Sequence, residues 1–178
     1  MTSKIRDFGL VGVAMMAAVA FASALQAGTS SPQPAHERSQ RLEIALVCDA
    51  TTPQSHKTSH GWDPRFSAGR VDERCTDSSA SVAIVPLNAI VEFDKFAESS
   101  FVALEINAAD GSSIEKLFND ALRSVPKGQS RQNLVLLDGK IVVSSYISGP
   151  FQGTSLDIGA DSEESAKLLV TILSGKAP

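Results

Sequence analysis

Aromatic side chains are scarce in this chain. They make up 6% of it, with Trp62 the one Trp and Tyr146 the one Tyr. A run of stacking platforms for nucleic-acid bases has little to draw on. An excess of positive charge is also missing. The formal net charge is −4 at pH 7, whereas a chain that neutralises phosphates needs a basic face. Nucleic acid is therefore set aside as a partner. No GxGxxG, Walker loop or GxSxG occurs, which removes the usual signatures of dinucleotide binding, nucleotide hydrolysis and serine acyl transfer. Ser144, Ser145 and Ser148 cluster, but His36, His56 and His60 all lie far upstream and no His follows them. Cysteine is reduced to Cys48 and Cys75, so a CxxC redox motif is absent. No internal repeat is visible.

What is present begins with a leader. Lys4 and Arg6 precede an uncharged apolar run from Phe8 to Leu25, and small residues gather at Ala22, Ser23, Ala24 and Ala27. That order reads as a secretory signal peptide over residues 1–27, cleaved after Ala24 or after Ala27. The alternative is an uncleaved anchor over residues 8–25, since the run is about long enough to span a bilayer. No Cys lies near the cleavage region, which argues against a lipoprotein. The expected location is periplasmic or secreted. In that compartment an even pair of cysteines usually bridges, the alternative being two free buried thiols. A Cys48–Cys75 disulfide is expected to stabilise by roughly 3–4 kcal/mol on the loop-entropy argument.

Residues 28–40, rich in Ser, Pro, Gln and Gly, read as a flexible linker. Residues 41–178 then form the expected domain. Leu42, Ile44, Leu46 and Cys48 alternate as a half-buried strand does. Residues 49–79 are polar, with Pro53, Gly61, Pro64 and Gly69, and read as a long loop tethered by the bridge. Residues 80–85 suggest a short strand ending at Pro86. Leu87, Ile90 and Val91 have helical spacing, so 87–97 reads as a short helix. Phe101–Asn107 alternates as a strand, broken by Asp110-Gly111. Ser112 and Glu115 have capping-box spacing. Behind them Ile114, Leu117, Phe118, Ala121 and Leu122 make one apolar helical face, ended by Pro126 and Gly128. Asp138-Gly139, between two apolar runs, has the chemistry of a tight hairpin. A short strand at 155–158 follows. Asp161 and Glu164 are placed to cap a last helix with Ala166, Leu169, Val170 and Leu173 on its buried face. The expected class is α+β: a two-layer sandwich with a single mixed or antiparallel sheet and two main helices on one face.

The run Leu136-Leu137-Asp138-Gly139-Lys140-Ile141, Ile147, Pro150-Phe151, Gly153, Ile158-Gly159, Glu163–Leu169 and Leu173–Pro178 resembles SecD, the accessory subunit of bacterial protein export. Upstream, Phe101–Asn107 and Ile114–Phe118 are similar too, so the resemblance covers about residues 85–178. It implies the head subdomain of the first periplasmic region, a ferredoxin-related fold and contact with unfolded or translocating polypeptide or with the export machinery. Two departures stand out. Val143-Ser144-Ser145 lacks the family's proline, and Gly153 stands alone where the family pairs glycines. After residue 25 no apolar run suits a membrane span, so the likeness is to a detached head and not to a proton-driven motor.

A non-catalytic binding module, with no cofactor and no metal, is the leading functional expectation. Tyr146, Ile147, Pro150 and Phe151 are its candidate contact residues, because exposed apolar groups and strand edges mark interaction sites. The same residues also suit ordinary core and turn positions. The competing reading is a metal-dependent or hydrolytic periplasmic enzyme built on His56 and His60, four apart in the polar loop.

Overall fold

The computed structural model describes residues 40–96 and 98–175. The leader and nearly all of the linker expected over 1–40 lie outside them. Among these described residues, eight strands form two antiparallel sheets, not one, with two helices packed on them. The first sheet has five strands: β1 (Leu42–Val47), β2 (Lys57–His60), β3 (Arg74–Ile84), β6 (Arg131–Leu137) and β7 (Lys140–Ile147), in the order β2-β3-β1-β6-β7. The second has three: β4 (Asn88–Asp94), β5 (Ser99–Glu105) and β8 (Ser155–Gly159), in the order β4-β5-β8. The expectation of a single sheet with both helices on one face is corrected accordingly. Helix α1 (Ala108–Arg123) packs on β3 and β7 of the larger sheet, while α2 (Glu163–Leu173) packs on β4 and β5 of the smaller. The α+β class stands.

One apolar core joins these parts. Leu42, Ile44 and Ile84 come from the larger sheet, Val102, Leu104, Leu156 and Ile158 from the smaller, and Ile114, Leu117, Ala166 and Leu169 from the helices. Strand alternation explains this, because every second side chain of each sheet turns to the same interior.

The segment read as a short helix over 87–97 is instead β4. It pairs with β5 along its whole length, from Asn88↔Glu105 to Asp94↔Ser99. Ile90 and Val91 suit helical spacing and strand alternation alike, and the partner strand decides between them. The supposed loop over 49–79 also holds more structure than expected: a 3-10 turn at Gln54–His56, strand β2 and the first part of β3. The Cys48–Cys75 disulfide is formed between the residue just past β1 and its neighbour strand β3, with Cα atoms 5.4 Å apart. Beside it, Asp49 accepts hydrogen bonds from the Thr51 hydroxyl at 2.7 Å and the Thr51 amide at 2.8 Å, and Arg131 Nη1 lies 2.6 Å from its Oδ2. Those Thr51 hydrogen bonds, with Arg131 adding to them, hold the Asp49 carboxyl far below the usual carboxylate range.

The larger sheet curls until its two ends meet. Immediately after β2, at one edge, the chain crosses to β7 at the other: Ile141 N–H donates to Gly61 O at 3.0 Å and Asp63 N–H to Ile141 O at 2.9 Å. Trp62 then fills the curl with Ala45, Leu134, Leu136 and Ile141 as a second, smaller core.

Both helix starts differ from the sequence reading. Asn107 caps α1, its side chain accepting from Asp110 N at 2.9 Å. Asp110-Gly111, expected to separate strand from helix, lies in the first turn, where an acidic residue is favoured. Ser112 donates instead to Ala108 O at 3.0 Å. Ser162, not Asp161, caps α2 by accepting from Ser165 N at 3.1 Å. The Asp138-Gly139 hairpin is as expected, with both residues at positive φ (51° and 75°).

Gly111 is buried where α1 meets the Gly149–Thr154 loop, and a Cβ there would press into the Gly153 carbonyl oxygen. Helix propensity alone favours Ala over Gly by about 1 kcal/mol. The crowding predicts the opposite sign: Gly111→Ala is expected to destabilise by about 1–3 kcal/mol, read as a lower urea midpoint. An unchanged or higher midpoint would show that the loop yields.

Candidate functional site

The site grows from an irregularity in the β6–β7 pairing. Val135 faces Val143, yet the next pair is Leu136 with Ile141, so Val142 is an extra residue. This bulge changes which side chains of β7 face the main core. Past it, Val143, Ser145 and Ile147 point inward and Tyr146 points out. Opposite Ser145 stands Asn133, and the Ser145 hydroxyl donates to Asn133 Oδ1 at 3.0 Å. Two small polar side chains thus occupy positions that apolar ones hold further along the same row.

A cavity of about 150 Å³ opens at that point, between β7 and β8. Its apolar wall comes from Ile44, Phe118, Val135, Ile147, Leu156 and Ile158, and its polar groups from Asn133, Ser145 and Asp157. A cavity of that size admits a benzene-sized apolar group. Each flanking strand is the last of its sheet. Among the described residues, β8 has only β5 as a strand neighbour, and beyond Ile141 the outer edge of β7 has none. Two rows of backbone donors and acceptors therefore border an apolar-walled opening.

A tethered loop reaches toward the same region. Arg70 lies over the Trp62 ring at 4.5 Å and pairs with Asp161 at 3.1 Å. The loop so runs from the edge of β7 to the segment that follows β8.

No protein-family model matches the chain, and no curated protein matches it. Among solved structures the chain is similar to SecDF, described as a membrane component that enhances protein export, at 13% identity and a TM-score of 0.48. It is also similar to SecDF in a super-membrane-facing form, at 14% identity and the same TM-score of 0.48. Each likeness covers 78% of this chain, but 63% of the first structure's chain and 19% of the second's.

The four candidate contact residues separate into two pairs. Tyr146, 65% exposed, stands at the rim of the opening, and Pro150 is exposed nearby. Ile147 (3%) and Phe151 (8%) are buried. Ile147 forms part of the cavity wall, and Phe151 packs edge-on against Phe118 with ring centroids 5.9 Å apart. Neither Ile147 nor Phe151, then, stands on the open surface. Sequence reading missed Asn133, Ser145 and the β8 residues of the wall. One signal was available: Asn133 precedes an unbroken apolar run, and a polar residue on a buried row needs a reason.

The histidines are arranged differently from the enzyme reading. His60 Nδ1 lies 2.8 Å from Gly139 O and Nε2 2.9 Å from the Thr76 hydroxyl. The ring ties the β6–β7 hairpin to β3. His56 instead approaches Asp77 at 4.0 Å. Among the described residues no three His, Cys, Asp or Glu side chains converge as a metal set would, and both thiols are in the disulfide. No helix among the described residues is long and apolar enough to cross a membrane.

Proposed function

We propose that this protein is an exported, non-catalytic binding module that holds an extended segment of polypeptide on the strand edge at the β7–β8 cavity. One observation carries the reading: the last strands of the two sheets, β7 and β8, border one apolar-walled cavity. An extended peptide has the matching form, since its backbone satisfies strand edges and every second side chain can enter a pocket. Tyr146 supplies a rigid amphipathic surface at the rim. The leader-like residues 1–27 and the SecD-like run from Leu134 to Pro178 support an export setting, in which the held segment is a chain during or after translocation.

The test is a filled cavity. Ser145→Leu is expected to weaken binding of a short uncharged peptide alternating valine and threonine by about tenfold or more, as measured by calorimetry. Tyr146→Ala is expected to weaken it less. Circular dichroism reports whether Ser145→Leu keeps the fold. Undiminished binding by a folded Ser145→Leu variant would remove the groove from the reading.

A further inference from the structure

The opposite end of the smaller sheet has a different chemistry. Five of the seven exposed large apolar side chains among the described residues lie between positions 85 and 96: Val85, Leu87, Ile90, Phe93 and Phe96. Single exposed apolar residues need no explanation; a concentration of them on and around one strand does. Among the described residues that strand, β4, has β5 as its one strand neighbour. Edge strands are commonly guarded by Lys or Pro, and Asn88–Asp94 contains neither.

The two rows of β4 differ. Ala89 and Val91 pack against the core, and their row continues to Phe93, which is 58% exposed. The other row, Asn88, Ile90 and Glu92, faces outward with its cross-strand neighbours Glu105, Ala103 and Phe101, and Asp157 lies beside Ala103 on the third strand. No Lys or Arg occurs in any strand of this sheet. The outer face is therefore acidic around an apolar centre.

We propose that the β4 edge docks an extended segment of a partner protein in which apolar and basic residues alternate. Added alongside β4, such a segment places its apolar row next to Ala89, Val91 and Phe93, extending the core layer. Its basic row falls on the outer face near Glu92, with Glu105 and Asp157 across the sheet. Charge also weighs against a second copy of this chain, since β4 carries Glu92 and no Lys or Arg. Two-fold antiparallel pairing centred on Val91 would set the two Glu92 side chains on one face as diagonal neighbours, at residue positions about 7–8 Å apart, with no Lys or Arg in either strand to separate them.

Two synthetic peptides test this against the full chain: one alternating lysine with valine, the other glutamate with valine. The lysine peptide is expected to bind, to shift the backbone amide resonances of Asn88–Asp94, and to weaken as salt is raised. Glu92→Lys, a fully surface change, is expected to reduce its affinity about tenfold. Equal binding of the glutamate peptide would overturn the proposal. So would an undiminished affinity in Glu92→Lys, or shifts confined to β7 and β8, which would assign the peptide to the groove. A dimer of the unliganded chain by sedimentation, abolished by Ile90→Lys, would give the edge to a second copy and overturn it too.

Discussion

Leu104→Ala is expected to destabilise the protein by about 2–5 kcal/mol, in one cooperative transition. Leu104 lies in the middle of β5, 1% exposed, between Ala89 on β4 and Leu156 on β8. It belongs to the core that also contains Leu42 and Ile44 of the larger sheet and Leu169 of α2. A close-packed interior cannot collapse fully around a missing side chain, so the loss exceeds the transfer free energy of the deleted methyl and methylene groups. The measurement is urea unfolding followed by near- and far-ultraviolet circular dichroism. A lower midpoint with an unchanged slope, and coincident curves, is the expected outcome. The pairing pattern makes this a real test, because no strand pairing among the described residues joins the two sheets. If packing between them were weak, the three-stranded sheet would melt first and the curves would separate.

The same division explains what was legible in the sequence. Both helices were, since their apolar residues recur at helical spacing. The hairpin was too, because Asp138 and Gly139 are suited to the positive φ that its turn requires. The disulfide followed from an even pair of cysteines in a sequence read as exported. What escaped depends on long-range pairing. Leu87, Ile90 and Val91 fit a helix until β5 is known to lie beside them. Nothing local distinguishes one sheet from two, since each strand shows only its own alternation. Asn107 took the cap from Ser112 because its side chain reaches the Asp110 amide, which moves the helix start to Ala108. The groove was half legible. Tyr146 could be picked out as a rim residue from its place at a strand end. The bulge at Val142, which sets Ser145 inward and brings Ile147 into the wall, requires the register with β6.

Removing the disulfide is expected to cost a comparable amount, about 2–5 kcal/mol, but to show first in one region. Cys48 and Cys75 enclose the segment that contains β2, His60 and Trp62, at a sequence separation of 27. In the chain-entropy account, the bridge restricts the unfolded ensemble of that segment. In the folded protein the same segment closes the curled sheet through Gly61 and Asp63 on Ile141 and through His60 on Gly139. None of those contacts involves a cysteine side chain, so the fold is expected to remain while its opening becomes easier. The double variant Cys48→Ser/Cys75→Ser should therefore keep the native circular dichroism at low temperature and unfold at a lower urea midpoint. Amide exchange of Asp63 and Ile141, which bond across the closure, should accelerate before that of Val102 and Leu104 in the shared core. Equal acceleration at all four amides would mean that the curl and the core open as one unit. Exchange unchanged at Asp63 would mean that Trp62 and its apolar neighbours, not the bridge, set the stability of the closure.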